Sequence, residues 1–213
     1  VTSKTGTGGG DHWSTGAAFL DADGDGRLDI FVANYVTWSK AIDMAQGYQL
    51  TGLGRAYGPP AGFRGEQPHR FRRKEDGTFE EIGAGAGLHV KNASTQVAVG
   101  KSLGVCVTDL NRDGRPDIVV ANDTVQNFAF VNQGGGRFKE QGREMAIAFD
   151  EKGNSRGAMG ISAGDPRNDG SVVIAIGNFA NERDALYVED GKAEPLFCDQ
   201  AAAWGIGAAS RGS

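Results

Sequence analysis

The stretch DADGDGRLDIFVANY, Asp21 to Tyr35, places aspartates at 21, 23, 25 and 29 and then turns apolar. The layout returns twice. GVCVTDLNRDGRPDIVVAND runs from Gly104 and GISAGDPRNDGSVVIAIGNF from Gly160, so the leading aspartates Asp21, Asp109 and Asp165 stand 88 and 56 residues apart. Each segment is followed by an aromatic strand, a Gly-rich turn and a Phe: FRRKEDGTF ending at Phe79, AFVNQGGGRF at Phe138, LYVEDGKAEPLF at Phe197. A short tail rich in Ala and Gly comes next. The unit therefore reads as strand, acidic loop, strand, connection, strand, Gly turn, strand.

Four antiparallel strands in about 56 residues make one blade of a β-propeller. Such a unit cannot bury both of its faces alone and must stack on neighbours. The fold expected is all-β, with about three four-stranded blades in a partial or oligomer-completed propeller. A β-sandwich is the competing reading. The acidic loop, the strand ending in Asn and the GxF turn recur together in one order, which favours blades. The expected division is a single propeller region over 1–210. Blade 1 covers about 11–90 with an insertion at 39–70, blade 2 about 91–149 and blade 3 about 150–207. Arg211-Gly212-Ser213 reads as the spacer of an expression tag.

The aspartates form a cage. In Asp21-x-Asp23-x-Asp25-Gly26-x-x-Asp29, alternate side chains converge when the loop curls, and Gly26 allows the sharp turn. Carboxylates that close repel one another and stay ionised only around a cation. Oxygen donors at several points of a flexible loop suit Ca²⁺. The spacing matches the first half of an EF-hand loop. A strand follows instead of a helix, and Asp29 closes the shell in place of a Glu at position 12. The backbone carbonyl of Arg27, at position 7, is expected as a further ligand. The second loop repeats the set with Asp109, Asn111, Asp113, the Arg115 carbonyl and Asp117. The third keeps Asp165 and Asp169 but carries Arg167 and Val173 where oxygen donors stood, and Arg167 could neutralise Asp165 or Asp169 itself. Two full sites and one weak or empty one are expected. The plain alternative is a solvated acidic hairpin turn.

These loops resemble the FG-GAP, or VCBS-type, repeats of integrin-like β-propellers. The DGTF and GGRF turns, with AGAGL after the first, look like the bacterial subgroup often found beside an ASPIC/UnbV domain. The resemblance covers nearly the whole chain. It implies calcium in the blade loops and an extracytoplasmic location, secreted or periplasmic, and implies no particular reaction. The chain departs from the pattern in its third loop and in holding only about three repeats.

Composition narrows the classes of partner. Glycine, at 34 of 213 residues, is about twice its usual share of ~7% and fits many tight turns. Net charge is −5 with no basic stripe, so no nucleic-acid partner is expected. No apolar run reaches the roughly 20 residues of a membrane-spanning helix, so no membrane is expected either. No signal peptide is read in the sequence, but Val1 rather than Met stands first, as after removal of a leader by processing or at cloning. Cys106 and Cys198 are too far apart for a metal motif and read as two buried thiols.

Three blades cannot close a ring, since propellers typically use four to eight. Open blade faces invite association. A homodimer giving six blades is expected. The tail Val1–Gly6 resembles the one after Phe79, so the chain opens on the end of a preceding unit.

Candidates for chemistry are sparse. The histidines His12, His69 and His89 show no metal or triad spacing. Asp11 and His12 precede the first inner strand and are the catalytic candidates. Ser14 and Ser102 sit in no nucleophile-elbow motif. Asn34, Asn122 and Asn178 end strands near the channel. The insertion interleaves Trp38, Tyr48, Tyr57 and Phe63 with Arg55 and Arg64, a composition that could stack on a sugar or grip an anion. A structural cover over a blade edge is the alternative. Two functions follow: a calcium-stabilised binding or scaffold module for a carbohydrate, protein or small molecule, or a Ca²⁺-dependent hydrolase of an ester or lactone.

Overall fold

The computed structural model describes residues 2–192 and 195–210; the expected tag remnant at 211–213 lies outside them. One helical turn, α1 (Thr2–Thr5), leads into three four-stranded antiparallel sheets. The first contains β1 (Ser14–Leu20) and β2 (Asp29–Asn34). An insertion follows with helix α2 (Lys40–Gln46), the short hairpin β3 (Gln49–Leu50) and β4 (Gly54–Arg55), and one 3₁₀ turn at Pro60–Gly62. β5 (His69–Arg73) and β6 (Phe79–Glu81) complete that sheet in the order β1-β2-β5-β6. The second sheet is β7 (Ser102–Thr108), β8 (Asp117–Asn122), β9 (Phe128–Asn132) and β10 (Phe138–Glu140). The third is β11 (Ala158–Gly164), β12 (Val173–Asn178), β13 (Ala185–Glu189) and β14 (Phe197–Asp199), before a final turn α3 (Ile206–Ala209). Strands neighbour in chain order within every sheet, as in propeller blades. The molecule is an all-β partial propeller. Among the described residues no helix is long and apolar enough to cross a membrane.

The sheets stack face to face, and β8 shows why its sequence is apolar throughout. All six residues of DIVVAN are buried. Ile118 and Val120 pack with Leu20, Phe31 and Ala33 of the first blade. Val119 and Ala121 pack with Ile174, Ile176 and Tyr187 of the third. Successive side chains of a strand point to opposite faces, so a central blade needs hydrophobic residues at every position. The outer blades have one neighbour each. In β2, Ile30 and Val32 are half-buried, and in β12 Ala175 and Gly177 are exposed.

Inner strands approach most closely at glycine. A Cβ on Gly104 would stand 2.6 Å from the Met159 carbonyl oxygen of β11. Tails lock each blade to the next. The Phe138 N–H donates to the Ala86 carbonyl at 2.8 Å, and the Phe197 N–H to the Met145 carbonyl at 3.0 Å. Gly6 (φ +80°) lies against Phe79 as Gly87 (φ +83°) lies against Phe138. The residues before the first blade thus occupy the place of a preceding tail.

The insertion covers the entrance to the second blade. Lys101 Nζ donates to the Pro60 carbonyl at 2.7 Å and the Glu66 N–H to the Gly100 carbonyl at 2.9 Å. Arg55 pairs with the buried Asp43, so this arginine is committed within the insertion.

Candidate metal centre

In every blade the loop between the first two strands is closed by its leading aspartate. Asp21 Oδ1 accepts from the N–H groups of Gly24 (2.9 Å) and Asp25 (3.1 Å), and Oδ2 from Gly26 (2.9 Å). Asp109 accepts from Asp113 (3.1 Å) and Gly114 (2.8 Å). Asp165 accepts from Arg167 and Asp169 (3.2 Å each) and Gly170 (2.6 Å). Side-chain oxygens thereby replace a backbone ladder through the turn. The fourth and sixth positions are left-handed. Glycine serves the sixth in all three loops, whereas Arg112 (φ +59°) and Asn168 (φ +54°) hold the fourth where the first loop has Gly24.

The first loop gathers its acids. Asp21, Asp23 and Asp25 each bring one oxygen within 4.8 Å of the others. Asp23 Oδ1 is buried and receives no hydrogen bond. Burial, then repulsion from Asp25 and Asp29, raises the Asp23 pKa, with Arg70 partly offsetting them. A buried, unpaired carboxylate oxygen facing like charges is the condition that a hard cation relieves. The donor set fits such an ion.

Asp29 has partners of its own. Its Oδ2 accepts from Arg70 Nη2 at 2.5 Å and Nε at 3.2 Å, and Oδ1 accepts the Arg73 N–H at 2.9 Å. A carboxylate oxygen retains a second lone pair after one such bond. Asp29 nevertheless stands outside the three-acid group. The Arg27 side chain returns to Asp25 Oδ2 at 2.5 Å, a second role beside its carbonyl. Arg115 likewise pairs with Asp113.

The second loop is more neutral. Asn111 Nδ2 donates to Asp113 Oδ2 at 2.8 Å. Asp117 is fully buried and accepts the N–H groups of Leu110 (2.8 Å) and Asn132 (2.7 Å). Burial pushes its pKa up to about 6, and those two hydrogen bonds oppose the shift. The ninth-position aspartates therefore also fasten the acidic loop to the end of the third strand.

In the third loop Arg167 forms no ion pair with Asp165 or Asp169. Its guanidinium lies 5.4 Å from the centre of the Trp204 ring. A flat cation held over an indole is stabilised there, and the aspartates already have backbone donors. Ser171 donates its N–H to Asp169 at 2.9 Å. Arg167 acts on Asp169 only through its charge.

The remaining candidates separate. Asn34, Asn122 and Asn178 are structural. Their amides donate to the carbonyls of Gln67 (2.8 Å), Gln126 (2.8 Å) and Arg183 (2.6 Å), just ahead of the third strand. Ser14 and Ser102 donate to Asn34 and Asn122, so neither hydroxyl faces a base. Asp11 and His12 precede β1, whereas the acidic loop follows it. Seven strand residues, roughly 20 Å at about 3.3 Å each, separate them from the aspartates. Spacing gave no sign that His12 and His69 meet, yet their ring centres are 4.9 Å apart. At the same end, Trp13 stacks edge-on against Tyr35 (5.3 Å) and Trp38 (6.1 Å) and is 49% exposed. Trp38 comes from the insertion; Trp13 belongs to no motif and stands alone in sequence, so only the fold brings it to this cluster.

No curated protein matches the chain. Among solved structures, the exotype rhamnogalacturonan lyase YesX is similar over 92% of this chain and 34% of its own, with 16% identity and a TM-score of 0.42. The chain spans about a third of that enzyme's length, and a likeness this loose bears on neither architecture nor chemistry. Residues 109–176, from the leading aspartate of the second loop to Ile176 in β12, match the family described as FG-GAP-like repeat. The acidic loops stand at matching places on all three four-stranded sheets, so the layout of that matched FG-GAP-like segment recurs in the first blade as well.

Proposed function

We propose that this is a calcium-stabilised propeller module that binds its ligand at the end of the blades opposite the metal loops. The observation that carries the calcium reading is the unpaired, buried Asp23 Oδ1 among three converging carboxylates. Asp21, Asp23, Asp25 and the Arg27 carbonyl hold the first ion, with Asp29 at the rim. Asp109, Asn111, Asp113, the Arg115 carbonyl and Asp117 hold a second. The ion neutralises repulsion that the fold otherwise carries. Sites of this kind, open to solvent and partly paired with arginine, suit the roughly 10⁻⁴–10⁻³ M affinities of extracellular calcium modules. An affinity in that range would accord with an extracytoplasmic location.

The ligand face is the cluster of Trp13, Tyr35 and Trp38, with Tyr48 and Tyr57 exposed on the neighbouring insertion. Indoles at 77° to one another offer two apolar walls, a surface on which a sugar ring packs. The hydrolase alternative requires a base near a loop ion, and His12 stands at the far end of β1. The scaffold reading is therefore the one argued.

The test is calorimetric titration of EGTA-stripped protein with Ca²⁺, followed by thermal melts. Up to two equivalents and a calcium-dependent rise in Tm are expected. Absence of uptake at 5 mM Ca²⁺ would end the calcium reading. A polysaccharide panel read by tryptophan fluorescence, with Trp38→Ala as control, tests the ligand face separately.

A further inference from the structure

The first blade departs from the second at one repeat position. In the second blade Phe128, opposite Val120 in register, packs beneath Gly100, where a Cβ would stand 2.9 Å from its ring. In the first blade His69, opposite Val32, occupies the place of Phe128, and His12 occupies that of Gly100. An apolar contact has become a pair of imidazoles, ring centres 4.9 Å apart and planes at 65°.

A carboxylate stands behind each ring. His12 Nδ1 lies 3.4 Å from Glu66 Oε2, and His69 Nδ1 lies 3.6 Å from Glu81 Oε1. A carboxylate near Nδ1 favours the proton on that side and so the Nε2 lone pair outward, the tautomer that metal-binding histidines use. His69 Nε2 is buried and has no hydrogen-bond partner. The chain crosses in front of these edges as Gly8-Gly9-Gly10. A Cβ on Gly9 would stand 3.5 Å from His69 Nε2, and one on Gly10 3.7 Å from His12 Nε2. Consecutive glycines keep that space free of side chains.

We propose that His12 and His69 form a binding site for a divalent transition cation, separate from the oxygen-lined loops. Their Nε2 atoms are the ligands, the nearby carboxylates of Glu66 and Glu81 favour the required tautomers, and water fills the remaining positions. Imidazole nitrogen selects Zn²⁺, Ni²⁺ or Cu²⁺ over Ca²⁺, so the two kinds of site discriminate by donor chemistry.

Equilibrium dialysis against Zn²⁺, in saturating Ca²⁺, tests this. One equivalent of Zn²⁺ is expected for the unaltered protein. His12→Asn and His69→Asn should each weaken it at least tenfold, and Glu81→Gln by about tenfold, the scale for removing such an orienting carboxylate. Asp23→Asn should leave Zn²⁺ uptake unchanged. His69→Phe, which restores the residue of the second blade, keeps the test valid should His69→Asn fail to fold. No Zn²⁺ uptake, uptake unaltered in the histidine variants, or uptake lost in Asp23→Asn would each overturn the assignment.

Discussion

Arg70 and Asp29 form an ion pair in which each side chain is only 1% exposed. The same guanidinium donates to the Gly136 carbonyl of the neighbouring blade, so one arginine ties the acidic loop, the third strand and the next sheet together. Removing it leaves Asp29 buried and uncompensated. Arg70→Ala is expected to cost about 3–5 kcal/mol, the range for breaking a buried pair, read as a shift of the urea midpoint. A loss under 1 kcal/mol would show that the pair is not what holds the loop.

Asp23 should change sign with calcium. Without the ion its carboxylate faces Asp25 and Asp29, so Asp23→Asn is expected to raise Tm slightly in EGTA. With the ion the same substitution removes a ligand. The stabilisation by calcium, about 2.7 kcal/mol at a hundredfold excess over Kd for one site, should then shrink. Melts of both proteins in EGTA and in calcium supply the four values; parallel behaviour in the two buffers counts against the cage.

Gly104 and Gly160 are equivalent in the repeat and should respond differently to alanine. The added Cβ at Gly104 meets backbone 2.6 Å away, whereas at Gly160 nothing lies within 4 Å. Gly104→Ala is expected to destabilise by about 1–3 kcal/mol, the usual overpacking cost, and Gly160→Ala to be near neutral. Equal effects on chemical denaturation would refute the close contact of β7 and β11.

The two thiols should react unequally. Cys198 is exposed, whereas burial raises the Cys106 pKa to about 12, far above the pH at which a thiolate forms freely. One thiol per chain is expected to label rapidly with a thiol reagent at pH 8, and a second only in denaturant. Peptide mapping that finds Cys106 labelled first would contradict the packing.

Phe19 marks an open blade face. It stands where Val107 of the second blade packs against the first, yet it is 66% exposed. Two copies covering each other's open faces should elute as a dimer by sizing with light scattering, and Phe19→Asp should shift that equilibrium to monomer. A monomer at micromolar concentration in the unaltered protein would rule out the association.

The repeat, the four strands of each blade and the acidic loops are legible in the residues alone, because these depend on local periodicity and turn chemistry. Alternation, glycine at the sixth loop position and aspartates at every second residue are all read within a dozen residues. Cys198 shows the limit: it reads as buried by residue type, but its place on the outermost strand of a terminal blade leaves it exposed. Tertiary structure alone decided the partners of charged and polar side chains. Arg70 reaches Asp29 across 41 residues, Arg167 turns to Trp204, the strand-ending asparagines pin loops, and His12 meets His69. Such contacts join residues from different strands or blades, and long side chains settle by the charges and rings that stacking brings within reach. No spacing along the chain encodes them.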